Sequence, residues 1–295
     1  MRIKSLAKVN LGLEVLGPRP DGYHDLRTLF QSVSLADELF FFPDDGGRIV
    51  VRGDDPDIAW DESNLVHRAA SALRGRHPGA PGVRVEVRKR IPPGKGLGGG
   101  SGNAAMTLLA LNTLWSLGLD RAALADIGRR LGADVPYFLE GGLCLGEERG
   151  DKLTPLEDLP TLPVVILLPP FSCPTAEIYA AHRLGREAAP PKLTSRGEDS
   201  KIVRFFEKRE LRFLENSLEA TVFRFHPRLQ DLKALLLSRG AELSLVTGSG
   251  SAVFGVFRDR GQAEEARERA ERECPAVLAE TVSRDRYGRE IRAGV

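Results

Sequence analysis

The chain has 295 residues, of which 42% are hydrophobic and 28% are charged, and this composition is typical of a globular protein with room for about two domains. The 42 lysines and arginines nearly balance the 41 aspartates and glutamates, which gives a formal net charge of +1 and excludes a general basic field for nucleic acid. The sequence has no apolar run of about 18 residues and no signal-peptide pattern. The three cysteines lack the paired spacing of a zinc site or a redox motif, so we expect free thiols and a cytoplasmic location. The charge balance and the missing apolar run lead us to expect neither a nucleic-acid nor a membrane partner.

A long strand is predicted at the N-terminus, because apolar residues alternate with polar ones there. Lys8, Asn10 and Glu14 would share one face, and the opposite, buried face would carry Ile3, Ala7, Val9, Leu11, Leu13 and Val15. Turn-forming residues at positions 18–22 precede a second apolar run at positions 26–42, so the simplest prediction is a long hairpin. Valines alternate with charged residues at positions 83–88 and predict a half-exposed antiparallel strand.

Two helices are predicted after a glycine-rich stretch at residues 94–100. The first is a mostly apolar, buried helix at residues 104–115, whose N-terminus is directed by the glycines. The second begins at Asp120, which is suited to the N-cap position, and ends near Leu131, where Gly132 marks a stop. A loop at residues 132–136 is expected to follow this helix.

The second half of the chain predicts a second, smaller sheet. A short apolar run at residues 162–168 is suited to a buried strand, and we place the domain boundary near residue 156, which gives domains at residues 1–156 and 157–295. Residues from about 180 to 198 are predicted to form an exposed connection. From Pro227 onward the order is helix, strand, glycine turn at residues 247–251, strand, helix and strand, which indicates a sheet with helices packed on one side.

The glycine-rich stretch is the strongest local motif, because glycines let backbone N–H groups crowd around an anion and the following helix adds its positive N-terminal dipole. The spacing of Gly94, Gly96 and Gly99 matches a dinucleotide-binding motif, but the acidic residue about twenty positions later, Asp120, begins a helix instead of ending a strand. A Walker loop is excluded because Lys95 is followed by glycine where serine or threonine is needed. Phosphate or nucleotide binding and a flexible structural loop both remain open at this point.

Several other polar residues have ordinary structural explanations when they are taken one at a time. Lys8 and Asn10 could face solvent on their strand, Asp134 and His24 could decorate turns, and residues 247–251 could form a hairpin turn. In chain order, however, a combined pattern is formed by residues 7–11 (AKVNL), 21–24 (DGYH), 92–101 (PPGKGLGGGS), 132–136 (GADVP) and 247–250 (TGSG). This pattern strongly resembles the GHMP kinase superfamily, and the resemblance extends over nearly the whole chain, with further matches at Asn64, Thr175, Tyr179 and Asn216.

The resemblance implies a two-domain α+β kinase with mixed and antiparallel sheets, whose active-site cleft lies between the domains. It implies ATP as co-substrate, Mg²⁺ as a required ion and a small cytidylyl molecule as acceptor. The resemblance assigns no metal-ligating side chain. The ATP-binding residues that the resemblance implies are Asn64, Lys89, Pro92, Pro93, Gly94, Lys95, Gly96, Leu97, Gly98, Gly99, Gly100, Ser101 and Gly102. The family usually has a second serine where this chain has Gly102, so one hydroxyl contact is missing.

Catalysis in such a kinase depends on positioning and charge stabilisation. The resemblance implies Asp134 as the acid/base and Lys8 as its partner beside the acceptor hydroxyl, since a neighbouring ammonium favours a charged carboxylate. It implies a cytosine ring held between His24 and Tyr179, within an acceptor site that comprises Asn10, Tyr23, His24, Thr175, Tyr179, Gly248 and Gly250. The implied reaction is phosphorylation of the 2-hydroxyl of 4-diphosphocytidyl-2-C-methylerythritol in non-mevalonate isoprenoid precursor synthesis.

Two alternatives remain open from the sequence. One is another kinase of the same superfamily with a sugar, mevalonate or homoserine as acceptor, although Tyr23 and His24 argue against it. The other is a nucleotide-binding regulator that has lost catalysis, and the presence of both Lys8 and Asp134 argues against that.

Overall fold

The computed structural model describes residues 1–187, 200–208 and 210–292, and its strands form two sheets. The first sheet contains β1 (Arg2–Pro18), β2 (His24–Asp44), β3 (Ile49–Gly53), β4 (Gly82–Arg88), β5 (Leu143–Glu148) and β6 (Lys152–Pro155). Its order is β3-β4-β2-β5-β6, and β1 pairs with the other edge of β2. All these pairs are antiparallel except β3 with β4, so the predicted mixed and antiparallel arrangement is confirmed.

The predicted hairpin of β1 and β2 is present, but β1 is not a strand with one buried face. The register of the hairpin shifts between Leu6 and Ala7, and this bulge moves successive side chains to a different side of the sheet. As a result, Ile3 packs in one apolar cluster and Ala7 in another. Both faces of β1 are covered from residue 5 to residue 13, so Lys8 and Asn10 are buried as well.

Four helices accompany the first sheet: α1 (Leu65–Arg76), α2 (Gly99–Leu114), α3 (Arg121–Leu131) and α4 (Val135–Glu140). The predicted start of α2 at residue 104 is wrong, because the helix begins within the glycine stretch, at Gly99. The predicted cap of α3 is confirmed, since the Asp120 carboxylate accepts a hydrogen bond from the Ala123 N–H at 2.8 Å. The predicted loop at residues 132–136 is shorter than expected, because α4 begins at Val135.

The second sheet is antiparallel throughout, with the order β10-β7-β9-β8. Its strands are β7 (Pro163–Leu167), β8 (Leu243–Val246), β9 (Val253–Val256) and β10 (Ala276–Glu280). The accompanying helices are α5 (Thr175–Glu187), α6 (Lys201–Lys208), a 3₁₀ turn (Leu211–Phe213), α7 (Glu219–Phe225), α8 (Arg228–Ser238) and α9 (Arg260–Ala270). The order predicted from residue 227 onward is confirmed. The predicted connection begins inside α5, and its residues 188–198 lie outside the described residues.

A last helix, α10 (Arg284–Arg292), was not predicted, and it packs on the first sheet. Tyr287 and Ile291 of this helix are buried in the first core, and the Tyr287 hydroxyl donates a hydrogen bond to the Phe138 carbonyl at 2.6 Å. The boundary predicted near residue 156 falls between β6 and β7 and stays a prediction. Among the described residues, no helix combines the length and the apolar character that crossing a membrane requires.

Candidate active site

The glycine-rich stretch forms a tight loop that ends as the N-terminus of α2. Gly94, Gly96 and Gly98 have φ angles of 68°, 74° and 74°, in the left-handed region that disfavours a side chain. The Gly98 carbonyl accepts the first intrahelical bond, from the Gly102 N–H at 2.8 Å. The N–H groups of residues 99–101 therefore have no partner within the helix, and no acidic side chain lies in this turn, so the turn can bind an anion.

The loop packs against the turn between β8 and β9. A Cβ atom on Gly96 would lie 2.1 Å from the Thr247 carbonyl oxygen, so no larger residue fits at this contact. The Thr247 hydroxyl donates to the Gly96 carbonyl at 3.1 Å, and the Ala252 N–H donates to the Lys95 carbonyl at 3.2 Å. The glycine loop is thus held by the turn between β8 and β9.

The Lys95 side chain points away from the anion-binding turn. Its amine donates hydrogen bonds to the carbonyls of Pro169, at 2.7 Å, and Phe171, in the segment that follows β7. Lys95 is 9% exposed, and burial lowers the pKa of its amine. Lys95 was predicted to bind ATP. Its backbone lies in the loop, whereas its amine anchors the loop to the segment that follows β7.

Lys8 and Asp134 come together beside the loop. The backbone N–H of Lys8 donates to the Leu97 carbonyl at 3.0 Å, which joins β1 to the loop. Asp134 directly precedes α4. The Lys8 amine lies 3.4 Å from an Asp134 carboxylate oxygen, and the two side chains are 4% and 34% exposed. A buried ammonium therefore faces a carboxylate that a substrate hydroxyl can reach, as general base catalysis requires.

Asn10 holds the Lys8 amine in place. Its side-chain oxygen accepts a hydrogen bond from the Lys8 amine at 2.6 Å, and its side-chain amide donates to the Thr28 hydroxyl at 2.8 Å. Its backbone N–H donates to the Thr247 hydroxyl at 3.1 Å. Asn10 is 3% exposed, and its bonds connect Lys8 to Thr247, which directly follows β8.

Two adjoining cavities of about 550 and 140 Å³ open beside the Lys8–Asp134 pair. Both are lined by Leu26, Asp134, Arg149, Thr175 and Tyr179, so they form one cleft. Most of the predicted acceptor-binding residues line this cleft. Tyr23 and His24 line the larger cavity, Asn10 and Gly248 line the smaller one, and Thr175 and Tyr179 line both. Gly250 does not, because a side chain there would face Val246 and Cys173.

The rings of His24 and Tyr179 are in direct contact, with centroids 5.1 Å apart and planes tilted by 41°. A base between them would need about 7 Å, which is two contact gaps of about 3.5 Å, so the predicted sandwich is wrong and the rings form one wall of the larger cavity. Burial, with a further contribution from the Arg183 charge, lowers the pKa of His24. Its Nε2 atom is buried and has no hydrogen-bond partner. Burial and the Asp134 charge raise the pKa of Tyr179 well above its usual value.

Two arginines that the sequence analysis did not single out line the larger cavity. Arg149 lies in the turn between β5 and β6, and its guanidinium carbon is 4.5 Å from the centroid of the Tyr23 ring. Arg183 lies on α5. Guanidinium groups bind phosphate oxygens well, so the cleft suits an anionic acceptor. Neither arginine belongs to a motif, and only the folding of the chain places both at the cavity.

The remaining two predicted ATP-binding residues, Asn64 and Lys89, have structural partners. The Asn64 side chain caps α1 by accepting from the Val66 N–H at 3.0 Å, and it donates to the Ala59 carbonyl at 2.8 Å. The Lys89 amine pairs with the buried carboxylate of Asp37, and the Lys89 side chain is 7% exposed.

The chain is similar to known proteins over most of its length. The family described as GHMP kinases N terminal domain matches residues 64–142, and the family described as GHMP kinases C terminal matches residues 206–276. A 4-diphosphocytidyl-2-C-methyl-D-erythritol kinase of Moorella thermoacetica is 39% identical over 284 residues, which cover 94% of this chain and 97% of that protein. The crystal structure of a 4-(cytidine 5'-diphospho)-2C-methyl-D-erythritol kinase has a TM-score of 0.79 at 37% identity and covers 95% of this chain and 99% of that one. A homoserine kinase from Cytophaga hutchinsonii, with a TM-score of 0.70 at 20% identity over 96% of this chain and 95% of its own, shares the fold alone.

Proposed function

Because the chain belongs to the 4-diphosphocytidyl-2-C-methyl-D-erythritol kinase family of the GHMP kinases, we propose that it transfers the γ-phosphoryl group of ATP to the 2-hydroxyl of 4-diphosphocytidyl-2-C-methyl-D-erythritol. It is an ATP-dependent kinase with a small-molecule substrate, and it acts in non-mevalonate isoprenoid precursor synthesis. The observation that carries the proposal is the Lys8–Asp134 pair, 3.4 Å apart, between the glycine loop and the acceptor cleft.

Residues 92–102 hold the triphosphate mainly through backbone N–H groups. Three left-handed glycines bring the backbone close to the phosphates, and the first turn of α2 adds its unpartnered N–H groups. The chemistry needs little covalent participation from the protein, because phosphoryl transfer depends on alignment and charge stabilisation.

Asp134 and Lys8 act on the acceptor hydroxyl. The Asp134 carboxylate takes the proton of the acceptor 2-hydroxyl while the oxygen of that hydroxyl bonds to the γ-phosphorus of ATP. The bond from the γ-phosphorus to the oxygen that bridges it to the β-phosphate breaks at the same time, and ADP leaves. The Lys8 ammonium stabilises the negative charge that gathers at the hydroxyl oxygen. Asn10 keeps the ammonium at that position through its 2.6 Å hydrogen bond.

Mg²⁺ is the ion that we propose to accompany ATP. Mg²⁺ usually keeps several waters and binds through nucleotide phosphates plus one or two protein oxygens, and the described residues contain no group of three or more histidine, cysteine or carboxylate side chains that could hold it alone. The residues that would hold it are Asp134, whose carboxylate is 34% exposed and lines the cleft, and Ser101 in the first turn of α2, since both supply the oxygen ligands that Mg²⁺ prefers. When bound, the ion neutralises charge on the transferred phosphoryl group.

The acceptor occupies the cleft of about 550 and 140 Å³. Asn10 and Gly248 line its inner end, the aromatic wall of His24 and Tyr179 faces the cytidine, and Arg149 and Arg183 face the diphosphate. We also propose a cytoplasmic location without nucleic-acid or membrane partners. The three buried, unpaired cysteines support a reducing compartment.

The test is turnover of the purified protein with MgATP and the cytidylyl acceptor, with ADP release followed by a coupled assay and the phosphorylated position identified by ³¹P NMR. We expect equal amounts of ADP and 2-phosphorylated product, and a kcat/KM at least about a hundredfold lower for mevalonate, homoserine or galactose. Asp134→Asn is the control for a contaminating kinase. Equal turnover of another alcohol would favour a different GHMP kinase, and binding of MgATP without any acceptor-dependent turnover would favour a regulator.

A further inference from the structure

One buried carboxylate contacts the chain on both sides of the glycine loop. Asp37 lies on β2, outside every motif of the sequence, and it is fully buried. Its Oδ1 atom accepts hydrogen bonds from the backbone N–H groups of Arg90, at 2.7 Å, and Ile91, at 2.8 Å, directly before the loop. Its Oδ2 atom accepts from the Lys89 amine and, at 3.0 Å, from the side-chain amide of Asn103, which lies in α2 after the loop.

The two ends of the loop touch each other at this carboxylate. A Cβ atom on Gly99 would lie 2.9 Å from the Ile91 side chain and 3.3 Å from the Lys89 amine. Between these ends, the three glycines hold left-handed backbone conformations, so side chains of their own do not set the path of the loop. The strand β2 is fixed, because it pairs with β1, β4 and β5. A carboxylate on β2 therefore ties the two ends of the loop to a fixed strand.

We propose that Asp37 is a positioning residue for ATP, which sets the distance between the entry to the glycine loop and the first turn of α2. Lys89 and Asn103 act through it. The Lys89 side chain is 7% exposed and its amine is paired with Asp37, so we assign its effect on the nucleotide to its contact with Asp37. This inference rests on the proposed function, since it takes residues 92–102 to bind the triphosphate.

Replacement of Asp37 by asparagine separates positioning from packing. The new asparagine keeps the shape of the side chain and, through its oxygen, the two backbone bonds, but its amide nitrogen then faces the Lys89 ammonium, which carries only donors and is pushed away together with the entry to the loop. Because a small displacement of a binding loop weakens all its contacts together, we expect Asp37→Asn to raise the Kd of MgATP, measured by calorimetry without acceptor, by at least about tenfold. The KM of the cytidylyl acceptor should change by less than about twofold.

A relocated carboxylate should restore binding. In the double variant Asp37→Asn, Asn103→Asp, the amide at position 37 donates to the new carboxylate, which restores the negative charge of the cluster, so we expect the Kd of MgATP to return to within about threefold of the wild-type value. Asn103→Ala removes only the hydrogen bond from α2 to Asp37, and alanine has a higher helix propensity than asparagine. This variant should raise the Kd of MgATP about threefold or more, and it tests the proposal even if Asp37→Asn fails to fold.

Asp158→Asn is the matched structural control. Asp158 also accepts two backbone N–H bonds, from Leu143 at 3.1 Å and Arg284 at 2.8 Å, but away from the loop. It should lower thermal stability and leave the Kd of MgATP within about twofold. An unchanged Kd in Asp37→Asn and Asn103→Ala, or no rescue by the double variant, overturns the proposal. A wild-type protein that binds MgATP but does not phosphorylate the cytidylyl acceptor overturns only the proposed function, whereas a wild type that binds no MgATP overturns both.

Discussion

The Ser5 hydroxyl lies 2.7 Å from the position that a Cβ atom would take on Gly102. This hydroxyl is buried and has no hydrogen-bond partner, and Phe138 crowds the same position at 3.3 Å. The φ angle of Gly102 lies outside the left-handed region, so its backbone would accept a side chain. That side chain would point at Ser5 and Phe138, in the core, and a serine here should not regain a phosphate contact.

Gly102→Ala should lower the free energy of unfolding by about 1 kcal/mol, because overpacking of about 1–3 kcal/mol outweighs a gain in helix propensity of about 1 kcal/mol. In a Ser5→Ala background, which removes the crowding hydroxyl, the same change should raise stability by about 1 kcal/mol. Equilibrium urea unfolding of the four proteins measures this coupling. Additive effects would show that Ser5 does not restrict Gly102.

Asp134→Asn should lower kcat by about 10² or more, the usual scale for loss of a positioned base, while the KM of ATP stays within a few-fold. The matched control is Asp126→Asn, because Asp126 is an exposed carboxylate on α3 that pairs with Arg129. Steady-state kinetics of both purified variants checks the assignment. Near-normal turnover by Asp134→Asn would remove this residue from the chemistry.

His24→Ala should raise the KM of the cytidylyl acceptor by about 5- to 100-fold, which corresponds to a stacking loss of about 1–3 kcal/mol, and leave the KM of ATP unchanged within about twofold. His24→Phe keeps the ring contact with Tyr179 but lacks the ring nitrogens, so the difference between His24→Phe and the wild type measures the polar part, and the difference between the two variants measures the ring contact. An equal rise in both KM values would place His24 outside the acceptor site.

Stability should fall with His24 protonation. Because the pKa of His24 is lowered in the folded protein, the unfolded chain takes up the proton first as the pH falls below about 6.5. The free energy of unfolding should therefore decrease from about pH 7.5 to about pH 5.5 by more in the wild type than in His24→Phe. Urea titrations at both pH values test this, and parallel decreases in the two proteins would contradict it.

Thr247→Val should lower kcat/KM about tenfold and the free energy of unfolding by about 1–3 kcal/mol, because it leaves the buried Asn10 N–H without an acceptor. The displaced Asn10 would then hold the Lys8 amine poorly. Thr247→Ser retains the hydroxyl and should stay within about twofold of wild-type activity. If valine and serine behave alike, the hydroxyl is not part of the link between Lys8 and the second sheet.

Local patterns predicted the parts of the fold that depend on neighbours in the chain. The turn residues at positions 18–22 predicted the hairpin, and Asp120 predicted the start of α3, because caps and turns use side chains within a few residues. The motifs around Lys8 and Asp134 likewise predicted two residues that the structure brings to 3.4 Å.

Features that depend on distant contacts were not predictable in this way. Glycine is a poor helix former, yet α2 begins at Gly99, where Ile91 and Leu65 pack closely against residues 99 and 100. The contact between His24 and Tyr179 depends on the distance between β2 and α5, which no spacing in the sequence encodes. Asp37 is one carboxylate in a largely apolar strand, and only the fold shows that it accepts hydrogen bonds from residues on both sides of the glycine loop.

The return of α10 to the first sheet affects how the protein is completed during its synthesis. Tyr287 and Ile291 fill the first core, so a nascent chain that has already formed β1–β6 still lacks part of that core until α10 has left the ribosome. Domains usually fold in the order in which they are made, but here a helix made after the second sheet closes the unit that was made first. Loss of α10 should therefore expose apolar surface on the nucleotide-binding half and leave the second sheet intact.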